Sequence, residues 1–209
     1  MPNDSYRDVA GIYDRLFDSM NKGLRLVGIH MFRPAKGMSI LDVGCGTGAY
    51  LDLYRRYQCH LYGLDASPSM LEVARRRLAD AAQLERGDAT RLPYESDKFD
   101  LVISMLTLHE MSPETRAAVM GEIKRVLKRD GRILLIDFHP GPYQPLQGWI
   151  SRAIILLSEV AAGWKHFSNQ QHFVSHGGLP ALAVQHGLRV EKQSLLAGDT
   201  LAVQCSRTD

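Results

Sequence analysis

A short apolar strand that runs directly into a glycine-rich loop constrains the fold of this chain more than any other feature. The twelve-letter stretch that begins at Ser39 reads SILDVGCGTGAY, with glycines at alternate positions after the strand. Glycine lets the backbone turn sharply and approach a ligand closely, and a helix that begins there presents unpaired N–H groups. The pattern predicts a strand–loop–helix unit of an α/β fold, with a nucleotide-type pocket at the loop.

Strands and helices alternate along most of the chain. Five apolar strands are predicted at 38–43, 61–65, 83–86, 99–105 and 132–138, with intervening helices at 49–57, 69–82 and from 112 to near 127. Two helices separated by a turn at 21–23 come before them, and a turn at 128–131 precedes the fifth strand. Helices at 146–164 and 177–186 and a hairpin of strands at 188–196 and 200–205 follow. This order predicts a Rossmann-like doubly wound sheet of seven strands, mostly parallel, with a C-terminal antiparallel hairpin and helices on both faces.

Bulk composition narrows the class of protein. At 209 residues we expect one domain, and a charge balance of 25 Lys and Arg against 23 Asp and Glu gives no case for a nucleic-acid partner. Three scattered cysteines do not make a disulfide framework, and we expect a cytoplasmic protein without a signal peptide. No stretch is long and apolar enough to predict a transmembrane segment.

The glycine loop is compatible with two classes of cofactor. Gly44-x-Gly46-x-x-Ala49, with Asp65 about 20 residues further on, satisfies a relaxed dinucleotide fingerprint. Asp42 argues against that interpretation, because a carboxylate beside the loop repels a pyrophosphate but attracts a ligand with ammonium and sulfonium charges. The sequence therefore favours S-adenosylmethionine over NAD.

Five stretches resemble class I S-adenosylmethionine-dependent methyltransferases, of the group that includes ubiquinone and menaquinone methyltransferases. They are ILDVGCGTG at 40–48, GLDASPSML at 63–71, GDA at 87–89, FDLVISML at 99–106 and EIKRVLKRDGR at 122–132. Together they cover about residues 38 to 138 in the family's order and spacing. The resemblance implies a methyl transfer that releases S-adenosyl-L-homocysteine as product.

The same resemblance implies which residues contact the cofactor. Asp42 and the loop hold the methionine moiety, Asp65 accepts both ribose hydroxyls, and Asp88 accepts from the adenine amino group. It further implies side chains that pack against the adenine ring, an N–H that donates to an adenine ring nitrogen, residues that form a floor beneath the sulfonium, and a tyrosine in a lid over the cofactor. The full expected set is Tyr13, Asp42, Gly44, Cys45, Gly46, Gly48, Asp65, Ala66, Met70, Asp88, Ala89, Ser104, Met105 and Leu106. For Asp65 and Asp88 a turn or helix-cap role is the alternative, and for Met70 and Tyr13 it is simple packing.

Two histidines are candidates for a catalytic base. His109 follows the fourth strand and His139 follows the fifth, so both belong to the edge of the sheet where ligands bind. An in-line displacement on a sulfonium methyl needs a base only if the acceptor carries a proton. Either histidine could instead cap a helix or line the pocket. A cluster of His166, His172 and His176 is predicted to line a polar-edged pocket, and no metal site is expected.

The acceptor is expected to be a small molecule or a lipid-like or quinone-like compound. The domain divides into an N-terminal helical lid (1–37), a cofactor-binding core (38–138), an acceptor-covering insertion (139–186) and a terminal hairpin (187–209). The apolar helix at 146–164 is either buried or available for peripheral membrane contact. An NAD-dependent oxidoreductase and a non-catalytic regulatory module that binds the cofactor stay as alternatives, and the sequence predicts no oligomeric state.

Overall fold

Seven strands form a single sheet in the computed structural model, which describes residues 10–148, 151–152 and 164–208. Their bounds are β1 (Ser39–Val43), β2 (His60–Asp65), β3 (Ala82–Arg86), β4 (Phe99–Met105), β5 (Leu127–Phe138), β6 (Leu188–Leu196) and β7 (Leu201–Thr208). The strand order is β3-β2-β1-β4-β5-β7-β6. Strands β1 to β5 pair in parallel, and β7 inserts antiparallel between β5 and β6. The predicted fold class is confirmed.

The middle parts of the central strands are apolar because helices cover both faces of the sheet. Ile40 and Leu41 in β1, Leu101 to Ile103 in β4 and Ile133 to Ile136 in β5 are all fully buried. A strand buried on both faces needs a continuous apolar run, since an alternating polar position would lie in the core. These three strands fix the centre of the molecule and the edge at which the loops emerge.

Six helices are described around the sheet: α1 (Ala10–Met31), α2 (Ala49–Tyr54), α3 (Pro68–Leu78), α4 (Pro113–Val126), α5 (Trp164–Ser175) and α6 (Gly178–Gln185). Two of them begin as the sequence predicts. The Ser67 hydroxyl accepts from the Met70 N–H at 3.1 Å, and the Ser112 hydroxyl accepts from the Thr115 N–H at 3.3 Å. Proline occupies the first helical position in both cases, where its missing N–H is not needed.

Two predicted turns are wrong. The turn at 21–23 lies inside α1, which is one helix, because the buried face that Leu24 and Ile29 present outweighs the roughly 1 kcal/mol that a glycine costs in a helix. The turn at 128–131 belongs to β5, which begins at Leu127 opposite Phe99, and the ladder is only interrupted between Phe99 and Leu101.

The insertion is described in part. No helix or strand is predicted between 164 and 177, where the structure has helix α5. Of the predicted apolar helix at 146–164, positions 147–148 and 151–152 are helical, and the rest before α5 lies outside the described residues. In the described part of the chain, no helix is both long and apolar enough to cross a bilayer.

Candidate active site

The glycine loop turns over the end of β2. The N–H groups of Gly44 and Cys45 both donate to the Leu64 carbonyl, at 2.8 and 3.1 Å. Gly44 (φ +77°) and Gly48 (φ +73°) have left-handed backbones with no room for a side chain, since an added Cβ would lie 2.5 Å from Thr107 and 2.6 Å from Leu78. Both positions therefore require glycine for packing as well as for conformation.

Gly46 differs from the other two loop glycines. Its backbone is also left-handed (φ +51°), but an added Cβ would meet no heavy atom within 4 Å. The loop is thus tightly packed at both ends and open in the middle. Among the described residues, nothing blocks a ligand from the loop backbone at Gly46.

Asp65 ties the second strand to this loop. One carboxylate oxygen accepts from the Gly46 N–H and the other from the Ser67 N–H, each at 2.8 Å. A carboxylate has about four lone-pair sites, so these two hydrogen bonds alone do not saturate it. Asp65 shapes the loop, and its expected ribose contacts stay a prediction.

Asp42 lies beneath the loop rather than on its surface. It is 2% exposed, it pairs in register with Gly63 of β2, and one of its carboxylate oxygens has no hydrogen-bond partner among the described residues. Burial and the neighbouring Asp65 charge raise its pKa to about 7, while the Arg25 charge from α1 opposes the rise. A cationic ligand placed nearby would favour the charged form of this carboxyl.

Cys45 is a packing residue of the loop. It is buried, and an added Cβ on Gly63 would come within 2.9 Å of its Sγ atom. Burial, followed by the Asp42 and Asp65 charges, raises the pKa of this thiol well above its ordinary value. Cys45 is therefore a neutral thiol that shapes the loop through its size.

The predicted adenine contacts lie together beside β2 and β3. Ala66 and Asp88 are exposed, Ala89 is half-buried, and Met70 is buried under the start of α3. A carboxylate oxygen of Asp88 accepts from the Thr90 N–H at 2.8 Å, which is the turn role considered as an alternative. The turn leaves other lone pairs of Asp88 exposed.

The end of β4 carries the residues predicted to form the floor of the site. Ser104 is buried with an unpartnered hydroxyl, Met105 is half-buried, and Leu106 adopts a left-handed backbone (φ +52°). The Leu106 N–H donates to the Ile136 carbonyl at 2.8 Å, so the kink is held against β5. This kink directs the chain into a short helical turn, Leu108–Glu110, that carries His109.

His109 forms a buried pair with Asp137, the acid near the end of β5. The Nδ1 atom lies 2.8 Å from the Asp137 carboxylate, and the two side chains are 4% and 1% exposed. That carboxylate also accepts from the N–H groups of Leu108, His109 and Phe138. Because a carboxylate only accepts, Nδ1 is the donor in this contact, and in the neutral form of the ring the lone pair is then on Nε2.

Arg116 of α4 holds the His109 turn from the other side. Its guanidinium donates to the carbonyls of Leu108 and Met111, both at 2.8 Å, and stacks 4.5 Å from the Phe173 ring of α5. Asn169 of α5 donates to the Glu110 carbonyl at 2.6 Å. Helix α5 of the insertion therefore rests on the turn that carries His109.

His139 is held by backbone instead of by a carboxylate. Its Nδ1 lies 3.1 Å from the Asp199 carbonyl and 3.2 Å from the Gly141 nitrogen. A protonated Nδ1 donates to the carbonyl and an unprotonated Nδ1 accepts from the Gly141 N–H, so the atom makes one of the two hydrogen bonds at a time. The residue is half-buried at the end of β5, next to the hairpin. This geometry fits a structural link between β5 and the β6–β7 turn.

The remaining candidate histidines lie on α5. His172 and His176 stack with ring centroids 3.9 Å apart, and burial lowers the pKa of His172, as do the His176 and Arg116 charges. Among the described residues, no group of three or more potential ligands is placed to hold a metal. The side chains of His166 and Tyr13 lie outside the described residues.

Three residues of the site were missed from the sequence. Asp137 is an acid inside an otherwise apolar strand, and that exception is a signal that could have found it. Arg116 and Arg25 are arginines on helix faces that turn out to be buried, and each lies among many exposed basic residues in the sequence. Nothing in the local pattern distinguishes them.

Comparisons with known proteins identify the family of this chain. A methyltransferase domain model matches residues 41–135. A demethylmenaquinone methyltransferase from Clavibacter sepedonicus is 33% identical over 143 residues, which cover 66% of this chain and 58% of that protein. The chain thus matches less than two thirds of that relative's length.

Two further comparisons cover more of the chain. An uncharacterised methyltransferase from Synechocystis sp. is 32% identical over 174 residues, which cover 83% of this chain and 77% of that protein. A chain from the complex between the Haloferax volcanii Trm112 methyltransferase activator and a methyltransferase superposes with a TM-score of 0.73 over 100% of this chain and 99% of its own, at 17% identity. At that identity the superposition shows a shared fold. The chain belongs to the class I S-adenosylmethionine-dependent methyltransferases.

Proposed function

We propose that this methyltransferase acts on a small-molecule acceptor of the quinone or lipid type, at the edge where β1, β2 and β4 end. The observation that carries the proposal is the 33% identity to a protein named as a demethylmenaquinone methyltransferase. The geometry supports it, because a buried histidine–carboxylate pair and a glycine loop lie at the same edge of the sheet.

The residues of the site fit S-adenosylmethionine. Among the described residues, a buried oxygen of Asp42 has no hydrogen-bond partner and a Cβ added at Gly46 would meet no atom within 4 Å, while Asp65, which bonds the loop at Gly46, is proposed to accept from the vicinal hydroxyls. When bound, the cofactor supplies a methyl group attached to a positively charged sulfur, and the neutral thioether that remains after transfer is a good leaving group. The Asp42 charge, the loop backbone and the β4 kink then orient the donor, and such positioning supplies most of the rate.

His109 is the proposed base for an acceptor that must lose a proton. Its Nδ1–H donates to Asp137, which orients the ring, and in the neutral ring Nε2 is the nitrogen proposed to accept the proton. Arg116 and Asn169 hold the surrounding backbone, so the ring keeps its direction. His139, which is bonded to backbone, is proposed to have a structural role.

The acceptor is proposed to enter beneath the insertion at 139–186. Helix α5 of this insertion contacts the His109 turn through Asn169, and its Phe173 ring stacks on Arg116, which donates to the same turn. A cytoplasmic location with peripheral membrane contact through 146–164 is part of the same proposal. Three free cysteines support the location.

The proposal is tested by methyl transfer from labelled S-adenosylmethionine. The full-length protein is incubated with a short-chain demethylmenaquinol analogue, and with fractions of a metabolite extract, and both S-adenosylhomocysteine and methylated products are measured by mass spectrometry. Acceptor-dependent product in the quinol or lipid fractions supports the proposal. Product confined to polar fractions contradicts the acceptor class, and tight cofactor binding with no product in any fraction favours the regulatory module.

A further inference from the structure

A pocket of about 360 Å³ lies at the edge of the sheet opposite the methyl-donor site. The start of β5 and the end of β7 enclose it, since β7 runs antiparallel to β5. Its lining residues are Arg129, Asp130, Arg132, Arg207 and Thr208. Three of these five side chains are guanidinium groups, a concentration that the near-neutral balance of the whole chain does not predict.

The strand register adds a fourth arginine beside the pocket. Arg189 of β6 pairs directly with Arg207 of β7, and Ser206 pairs with Ile133 of β5, which places Arg132 next to Arg207 along that ladder. A row of three arginines therefore crosses three neighbouring strands. Like charges directly opposite each other destabilise a sheet, so a negative charge close to the row would stabilise this arrangement.

The protein compensates this row only in part. A bulge between Val190 and Lys192 brings Glu191 to 2.6 Å from Arg132 Nε and 3.8 Å from Arg207 Nε. The Arg207 Nε atom is nevertheless buried and makes no hydrogen bond to any described residue. Within the described residues, Glu191 is thus the carboxylate that pairs with this row, Asp130 is the acid that lines the pocket, and Arg207 Nε donates no hydrogen bond.

We propose that this arginine pocket (Arg129, Arg132, Arg189 and Arg207) binds an anion of the phosphate type. Guanidinium groups match phosphate oxygens in a two-pronged geometry and are the preferred residues for that anion. The pocket is larger than one phosphate group, so it has room for a phosphate and part of the molecule that carries it. The same chemistry is offered by a soluble phosphate ester and by the headgroup of an anionic lipid.

The test uses the full-length protein with saturating S-adenosylhomocysteine, which keeps phosphate out of the donor site. Inorganic phosphate is titrated by calorimetry, and co-sedimentation is measured with phosphatidylglycerol vesicles against phosphatidylcholine vesicles. The test variants are Arg207→Gln and, in case that protein does not fold, Arg129→Gln at an exposed position. The matched control is Arg76→Gln, an exposed arginine of α3 whose only described ion pair is with Glu72 at 3.7 Å.

Each outcome decides the proposal. Saturable phosphate binding that weakens about tenfold or more in the pocket variants, and is unchanged in Arg76→Gln, supports a site for soluble phosphate. Binding to phosphatidylglycerol vesicles alone, with the same loss, supports a headgroup site. Absence of both in the wild type, or equal binding by all variants, overturns the proposal.

Discussion

Asp42 is the residue whose chemistry most affects cofactor binding. Its pKa of about 7 means that the carboxyl is partly protonated near neutral pH when no ligand is bound. A cationic donor favours the charged form, so binding releases a proton when the solution is acidic. We expect S-adenosylmethionine affinity to rise as the pH increases from about 6 to about 8. Calorimetry at both ends of this range measures the change.

The matched variant for this prediction is Asp42→Asn, which removes the titrating group and keeps its shape. We expect its affinity to be lower and flat across the same pH range, because Asn carries no charge at any pH. Asp52→Asn is the control, since Asp52 is an exposed residue that pairs with Arg55. A wild-type affinity that does not depend on pH, or a variant that keeps the slope, contradicts the role of Asp42.

The same group links stability to pH in the unliganded protein. Its folded pKa of about 7 lies above the ordinary value of 3.8, so its contribution is fully present below pH 3.8 and is lost as the pH rises through 7. Between about pH 5 and pH 8 this loss amounts to about 3 kcal/mol. Asp42→Asn is expected to gain stability relative to the wild type over that interval, as measured by urea unfolding. Parallel pH curves for the two proteins would rule the linkage out.

His109 is the residue that tests the proposed base. For an acceptor that loses a proton, His109→Gln is expected to lower kcat by about 10²–10⁴-fold. The dissociation constant of S-adenosylhomocysteine should stay within about twofold, because the donor contacts are elsewhere. His139→Gln is the control and is expected to keep most of the rate. Equal rates for both variants would assign His109 a packing role.

At the scale of elements, the glycines of the loop differ in what constrains them: Gly48 is constrained by packing, and Gly46 by ligand access. An alanine at position 48 would have a strained left-handed backbone and a Cβ 2.6 Å from Leu78. An alanine at position 46 would have only the backbone strain. We expect Gly48→Ala to lose about 2–4 kcal/mol of stability and Gly46→Ala only about 1–2 kcal/mol. Cofactor affinity should fall strongly in Gly46→Ala, since its Cβ would point into the open side of the loop. Thermal unfolding and calorimetry on the two variants measure both effects, and a reversed order of stability would contradict the described packing.

The elements also show what the sequence could predict. The central strands β1, β4 and β5 follow from apolar runs, β6 and β7 follow from the turn at 197–199 between them, and the starts of α3 and α4 follow from Ser-Pro pairs. The continuity of α1 could not be predicted, because the burial of Leu24 and Ile29 depends on strands more than a hundred residues later. The His109–Asp137 pair was missed for the same reason, since the parallel pairing of β4 and β5 brings together two residues 28 positions apart.

At the scale of the whole molecule, the two ends of the sheet carry different chemistry. The carboxyl ends of β1, β2 and β4 present a buried acid, an open glycine loop and a histidine pair, which suit a cationic methyl donor and its acceptor. The opposite end presents the arginine pocket, which suits an anion. The central apolar strands separate the two, so a variant at one end is expected to leave ligand binding at the other unchanged.

The central claim is that the loop between β1 and α2 holds a sulfonium cofactor. Calorimetric titration of the full-length protein with S-adenosylhomocysteine and, separately, with NADH tests it most directly. We predict saturable one-site binding of S-adenosylhomocysteine that Gly46→Ala weakens strongly, and no saturable binding of NADH. Binding of NADH in place of S-adenosylhomocysteine, or no heat with either compound at millimolar concentration, would contradict the account.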